Sequence, residues 1–358
     1  MTRAGVTPLD ILMTADAIGG VWTYVIETGG ALVARGHRVT IAVTGPVPCA
    51  TQSAEAASAG LEIAPGRLPL DWLCAEPTEV LAGGERLAAL AADHDLLLLN
   101  SPALAARARF RVPVIAVAHG DVGTWWQAAR PGTPLDPAYA WLTALIGEGL
   151  RVADRVVAPT AAHGAAVRAF YGLERVEAVH NGRALLLRSQ EQSVCRALTV
   201  GRLWDDAKDL ATLDAAAVLT SVPVIAAGSL DGPKGERAHL PNLHTLGPIA
   251  PDRLAALLAK RPVFVSTATY EPFGLAVLEA AQAGCPLVLS DIPSFRELWD
   301  GAATFVPPRD AAGFARAIEA PAVSGEAARE RAARYTVDAM ADGMLALIRN
   351  TLRRRVAA

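Results

Sequence analysis

Two carboxylates separated by seven residues, with a glycine between them, carry the chemistry of this chain. They lie in Tyr270-Glu271-Pro272-Phe273-Gly274-Leu275-Ala276-Val277-Leu278-Glu279. The segment follows an apolar, β-branched run, Pro262 to Thr267, and leads into strong helix formers from Leu275 to Ala283. That order predicts a strand, a short loop and a helix. Gly274 permits close approach of a ligand where the first helical N–H groups lack partners. Such a helix start attracts phosphate. At about 1.5 Å per residue, Glu279 falls roughly 9 Å along the axis from Phe273. A diphosphate over the helix start would leave one carboxylate for a sugar and the other for a ribose, which is the shape of a nucleotide sugar. The competing reading is a solvated acidic pair, favoured near a helix N-terminus in any case. Against it, Glu279 is flanked by Val277, Leu278, Ala280 and Ala281, and a carboxylate buried there requires a partner.

Positive charge of the matching kind precedes this segment. Gly201-Arg202-Leu203-Trp204-Asp205-Asp206-Ala207-Lys208 directly follows a strand-like run ending at Val200. Ligands of open α/β sheets bind at the carboxyl ends of strands, so Arg202 and Lys208 stand where a diphosphate would sit. Arg grips phosphate oxygens in a fixed fork and Lys adds a mobile point charge. Two surface cations at a helix start are the alternative, but a helix dipole disfavours them there. Asp16-Ala17-Ile18-Gly19-Gly20-Val21-Trp22 is a comparable first turn. Gly19 and Gly20 either admit a ligand to a helix N-terminus or are there for steric reasons alone. His119, after the run Val114 to Ala118, either faces a ligand crevice or is structural. Trp125 and Trp126, expected in a loop, would stack on an acceptor or plug a domain interface.

Other patterns fail on context. Asp93-His94-Asp95 has D-x-D metal spacing but precedes the buried run Leu96 to Leu99, so polarity at a strand entry accounts for it better. Gly228-Ser229-Leu230-Asp231-Gly232 is not a nucleophile elbow, and Gly232-Pro233-Lys234-Gly235 lacks P-loop spacing. The first glycine turn has no G-x-G-x-x-G spacing, and no histidine pair has zincin spacing. The 358 residues suffice for two α/β domains; 52% are hydrophobic and 19% charged, a globular balance. A net charge of -3 gives no general attraction to nucleic acid. Cys49, Cys74, Cys195 and Cys285 are scattered and read as reduced thiols of a cytoplasmic protein. Asp10 and Asp16 break the apolar N-terminal stretch too early for a signal peptide, and no run reaches the ~20 residues of a membrane span. Leu352-Arg353-Arg354-Arg355 reads as a solvated helix end, with peripheral contact to an anionic membrane as the alternative.

Strand-like and helix-like runs alternate throughout, the pattern of parallel sheets covered on both faces. Expected strands are Ile11–Thr14, Val39–Val43, Leu96–Asn100, Val114–Ala118 and Val156–Ala158, then Ala197–Val200, Val224–Ala227, His244–Leu246, Val263–Thr267, Leu287–Leu289 and Thr304–Val306. Expected helices include 21–34, 140–152, 207–219, 251–259, 273–283 and 311–320. The domains are read as 1–182, a polar linker at 183–196, and 197–336. An amphipathic last helix, 337–352 within a tail of 337–358, is expected to cross back onto the first domain.

Taken together these residues resemble the retaining glycosyltransferases of family 4, which have the two-domain GT-B fold. The resemblance spans nearly the whole chain. It runs through Gly19-Gly20, His119, Ala178-Val179-His180-Asn181-Gly182, Gly201-Arg202-Leu203 to Lys208, Gly228, Leu246-Gly247-Pro248-Ile249, the E-x7-E segment, and Asp291-Ile292-Pro293 to Val306-Pro307-Pro308. It implies two Rossmann-like, doubly wound parallel-sheet domains facing a cleft. It further implies that Arg202 and Lys208 bind the donor diphosphate and Glu279 the ribose. Glu271, with the backbone of Phe273, Gly274 and Leu275, would hold the sugar and distal phosphate. His119 would contact the sugar near the reacting carbon, and the loop from Gly247 to Ile249 would line the base. Gly19 and Gly20 would face the phosphates. The chain departs from the family pattern at Asp209 (usually glycine), at Gly228-Ser229-Leu230 (usually Gly-x-Gly) and at Ile292-Pro293-Ser294 (often a double glycine).

The activity so implied is transfer of a hexose, with retained configuration, from a nucleotide diphosphate sugar to a glycan, lipid or small-molecule acceptor. UDP is the first choice of nucleotide, and neither cofactor nor metal is required. The alternatives are a nucleotide-sugar epimerase of the same fold and a non-catalytic subunit that binds sugar nucleotides.

Overall fold

The computed structural model describes residues 7–185 and 196–357. They divide into two compact units. One comprises the residues up to Gln127, Gly132–Gly182 and the chain from Val337; the other comprises Ala128–Pro131 and Arg183–Thr336. Of the linker expected at 183–196, residues 186–195 lie outside the described residues, and so does Cys195.

Among the described residues the first unit holds a seven-stranded sheet in the order β3-β2-β1-β4-β5-β6-β7. Its strands are β1 Asp10–Asp16, β2 Arg38–Thr44, β3 Glu62–Ile63, β4 Leu96–Leu99, β5 Val114–Val117, β6 Arg155–Ala158 and β7 Glu177–Ala178. Every pairing is parallel. A parallel sheet carries helices on both faces, which is why its central strands are unbroken apolar runs. Alternation along β4 shows this: Leu97 and Leu99 join one core with Leu87, Leu104 and Leu145, while Leu96 and Leu98 join another with Val25 and Leu32. The second of these cores is completed from the far end of the sequence. Met340, Met344 and Ile348, on the helix Val337–Ala357, pack into it. Arg35 anchors the start of that helix, 2.8 Å from Asp338 and 3.0 Å from Asp342. Because both carboxylates are largely exposed, these pairs contribute little beside the buried apolar face.

The second unit's sheet has six strands among the described residues, in the order β10-β9-β8-β11-β12-β13. They are β8 Ala197–Val200, β9 Val224–Ala227, β10 His244–Thr245, β11 Val263–Ser266, β12 Leu287–Ser290 and β13 Thr304–Val306. All pair in parallel. Both sheets are doubly wound, as expected. Strand order reverses between β1 and β4 in the first unit and between β8 and β11 in the second, and such switch points open crevices at the carboxyl ends of the strands.

The differences from expectation are local. β3 and β7 are two-residue edge strands, too short to show an alternating pattern. The expected loop around Trp125 is instead a helix, Val122–Ala129. Its first turn is capped by Asp121, which accepts from the N–H groups of Gly123 (2.8 Å) and Thr124 (3.0 Å). The stretch 46–60, for which no helix is expected above, contains the helix Ala50–Ser58. The single helix expected over 207–219 is a short 3₁₀ turn, Asp206–Lys208, and then the helix Leu210–Leu219. Asp209 separates them at φ 48°, the left-handed conformation that Asp tolerates better than most residues. Asp93-His94-Asp95 does serve a strand entry: the Asp95 carboxylate accepts from the Asp10 N–H at 2.8 Å. Among the described residues no helix is long and apolar enough to cross a membrane.

If the final helix completes the first unit's core, Ile348→Ala, at a site with no solvent exposure, should destabilise that unit by about 2–5 kcal/mol. Urea unfolding followed by tryptophan fluorescence would measure the loss, and an unchanged midpoint would contradict the packing.

Candidate functional site

In the second unit, the loops after β8 and β11 meet at the switch point. A water-sized cavity of about 20 Å³ there is lined by residues of both, including Gly201, Arg202, Lys208, Glu271 and Gly274. Hydrogen bonds hold the loops together. Thr267 Oγ1 donates to the Lys208 carbonyl at 2.9 Å, and the Thr269 N–H donates to the Ala207 carbonyl at 2.9 Å. Lys208 Nζ lies 2.5 Å from Glu271 Oε2, with both side chains mostly buried. Arg202 is half-exposed, 3.0 Å from the buried carboxylate of Asp205, and its guanidinium lies over the Trp204 ring at 5.6 Å. Each cation thus has an anionic neighbour in the protein, but Arg202 keeps an open side.

The helix Leu275–Gln282 starts beside this cavity. Gly274 takes φ 86° at its N-cap and no side chain caps the first turn. A Cβ at Gly274 would stand 3.2 Å from Glu271 Cγ and 3.3 Å from the Phe295 ring. A side chain would therefore crowd the turn as well as strain it. The Phe273 side chain is buried, edge-on to Tyr335 at 5.9 Å, so only its backbone is available to a ligand. Leu275 is partly exposed at the first helical position. Ser294, where family members often have glycine, is used differently: its hydroxyl donates to the Glu271 carbonyl at 2.5 Å and fixes that loop.

Glu279 lies further along the same helix and does not line the cavity. Its carboxylate accepts from Arg183 Nε at 2.7 Å, and both side chains are largely buried. Gln282, one turn on, donates to the Arg183 carbonyl at 2.8 Å, so Arg183 is fastened to the helix at two points. Spacing gave no hint of this partner, which is 96 positions away.

Gly228 follows β9 at φ 145°. A Cβ there would lie 1.7 Å from the Gly201 carbonyl oxygen, so its glycine is explained by close backbone approach. Its N–H donates to the Gly247 carbonyl at 2.9 Å. That bond ties the β9 loop to the loop after β10, where Ile249 is half-buried.

The first unit brings its own residues to the carboxyl ends of β1, β4 and β5. Asp16 Oδ1 accepts from the N–H groups of Ile18 and Gly19, both at 3.0 Å, and so satisfies two amides of the glycine turn itself. Gln52 Nε2 donates to the Ala17 carbonyl at 2.9 Å, a support from the unexpected helix Ala50–Ser58. Gly20 opens the helix Gly20–Val33 and is exposed. His119 follows β5, with Nε2 2.7 Å from Asn100 Oδ1 and its ring edge-on to Tyr24 at 4.5 Å. The residue is partly exposed, yet surrounding atoms displace most of the ring's water. This desolvation, with repulsion from His163, lowers its pKa to about 3. Trp126 is buried, its indole N–H donating to the Thr133 carbonyl at 3.1 Å, whereas Trp125 is half-buried beside it.

Comparison with known proteins gives one consistent result. The model of Glycosyltransferase Family 4 matches residues 18–185, and that of Glycosyl transferases group 1 matches residues 195–321. A glycogen synthase of Mycobacterium tuberculosis is 26% identical over 374 residues, an alignment covering 90% of this chain and 87% of that protein. A sucrose-phosphate synthase from Thermosynechococcus elongatus superposes with a TM-score of 0.77 at 20% identity, covering 97% of this chain and 100% of the other. Anabaena Alr3699/HepE, solved in complex with UDP and glucose, gives 0.74 at 16% identity, covering 95% and 99%.

Two measurements test the geometry. Gly228→Ala should lower stability by about 3 kcal/mol or more in urea, since its methyl meets a carbonyl that cannot retreat without moving β8. The second concerns acid. In the unfolded chain His119 takes up a proton near its ordinary value of 6.5, but in the folded chain only near pH 3. Its contribution to stability is therefore present above pH 6.5 and is lost as pH falls through that window. His119→Gln should unfold with a shallower acid dependence between about pH 6 and pH 4 than the parent.

Proposed function

The chain belongs to glycosyltransferase family 4 and has the GT-B fold, and from that premise we propose that it transfers a hexose from UDP-sugar to an acceptor hydroxyl, with retention and without a metal. The observation that carries this reading is the convergence of Arg202, Lys208, Glu271 and Gly274 on one cavity beside an uncapped helix start. The barrier lies in separating a diphosphate from a sugar that becomes oxocarbenium-like. Two cations and the positive end of a helix supply the stabilisation that a metal gives elsewhere, each such preorganised group contributing about 3 kcal/mol. The cavity is water-sized, so the diphosphate is proposed to lie across its mouth. There it would accept from Arg202 and from Lys208, loosening the latter's grip on Glu271. Glu271 is then free to accept from hydroxyls of the sugar, and Glu279 to accept from those of the ribose.

In the proposed step the acceptor oxygen bonds to the anomeric carbon on the face from which the diphosphate leaves. The C–O bond to phosphate breaks with its electron pair going to the diphosphate, and that oxygen takes the acceptor's proton. The atoms balance without a covalent sugar–enzyme intermediate. The presence of UDP and glucose in the Anabaena fold neighbour supports uridine as the first base to test.

Arg202→Ala and Lys208→Ala should each reduce turnover by on the order of a hundredfold or more. Near-parental rates in folded variants would remove both residues from the reaction. Calorimetric titration should find UDP bound more tightly than GDP or ADP. Transfer from UDP-hexose should survive chelation by EDTA and yield a product with the donor's anomeric configuration by NMR; an inverted product would overturn the mechanism.

A further inference from the structure

Three strand ends at the first unit's switch point are tied together by one buried amide. Asn100, at the end of β4, is 8% exposed. Its N–H donates to Thr14 Oγ1 at 2.7 Å, and its side-chain Nδ2 donates to the Thr14 carbonyl at 2.6 Å. Thr14, on β1, has no solvent exposure. A backbone carbonyl only accepts, so the amide nitrogen must face Thr14 and the amide oxygen must face His119. That oxygen also only accepts. The ring nitrogen 2.7 Å from it, Nε2, must therefore carry a hydrogen.

We infer that Asn100 is a positioning residue that holds His119 as the Nε2–H tautomer, leaving Nδ1 to accept a hydrogen bond from a hydroxyl of the bound sugar. The role of the ring at the sugar rests on the transferase reading above; the tautomer does not. Desolvation and His163 keep the imidazole neutral, so Nδ1 has a lone pair throughout the physiological range. Sugar hydroxyls are the donors that such a lone pair selects. Tyr24, edge-on to the ring, fixes its plane, and Asn100 fixes which nitrogen is the acceptor.

Long-range ¹H–¹⁵N correlation on the full-length, histidine-labelled protein at neutral pH tests the tautomer directly. The His119 signals are assigned by their loss in His119→Gln. A protonated, pyrrole-like Nε2 with a pyridine-like Nδ1 is expected; a protonated Nδ1 overturns the proposal whether or not the enzyme transfers sugar. Asn100→Leu should mix the tautomers and lower kcat/KM for the donor about tenfold, the effect of one misdirected hydrogen bond. Asn100→Asp, nearly isosteric, retains an acceptor at Nε2 but adds a charge that favours imidazolium. Titratable groups near the ring include His163, on the helix Ala161–Tyr171, and Tyr24, on the helix Gly20–Val33. For Asn100→Asp, kcat/KM should fall at low pH and recover as pH rises, whereas a merely structural Asn100 would give pH-independent losses. An unmixed tautomer in folded Asn100→Leu would sink the inference. The expected tautomer, in a protein that turns over no donor, would uphold Asn100 as the residue that sets it and would overturn the ring's role at a sugar together with the transferase reading.

Discussion

The ion pair between Lys208 and Glu271 is the contact on which the second unit's strand ends depend. Both are largely withdrawn from water, and removing one partner of such a pair commonly costs about 3–5 kcal/mol. The bond spans the two loops that leave the central strands of the second sheet, so it also decides how far apart those loops stand. Thr267 and Thr269 add neutral hydrogen bonds across the same gap, and Ser294 secures the far side of Glu271. The result is a crevice whose walls are fixed before any ligand arrives. Preorganisation of that kind is what electrostatic stabilisation of a departing diphosphate requires, because fixed charges need not reorganise as the bond breaks.

The two sheets share a strand order and differ in what they place at the switch point. In the second unit the strand ends carry cations, glycines and carboxylates that neutralise one another in pairs. In the first, Thr14, Asn100 and a histidine whose charge is suppressed by burial stand beside Asp16 and Asp121, whose carboxylates accept from backbone N–H groups of the turns that follow. One fold therefore presents two different sets of side chains at equivalent strand ends. Function here belongs to the strand ends rather than to the sheet.

Much of this was legible in the sequence for identifiable reasons. Buried parallel strands need continuous apolar runs, so the central strands stand out, and the E-x7-E segment gave its own strand, loop and helix. Gly274 was readable because a turn that tight excludes side chains. What stayed hidden depends on long-range pairing. Arg183 meets Glu279, and Ser294 meets Glu271, through contacts that leave no periodic trace. Gly228, which the family resemblance implies to be a donor-binding residue, also has a steric reason in its contact with the Gly201 carbonyl. The helices Ala50–Ser58 and Val122–Ala129 were missed because their apolar faces are short and their starts are set by side-chain bonds. Asp209 shows a departure from the family that geometry absorbs: the left-handed turn usually given to glycine is here occupied by one of the few residues that tolerate it.

The helix Val337–Ala357 has a further consequence for biogenesis. A ribosome delivers β1 to β7 first, yet the core on one face of that sheet lacks Met340, Met344 and Ile348 until the helix Val337–Ala357 has been made. The later-synthesised lobe has all its own residues in hand before that moment. Domains commonly mature in the order they emerge from the exit tunnel. In this polypeptide the N-terminal lobe is completed last, after the whole of the other unit has been made.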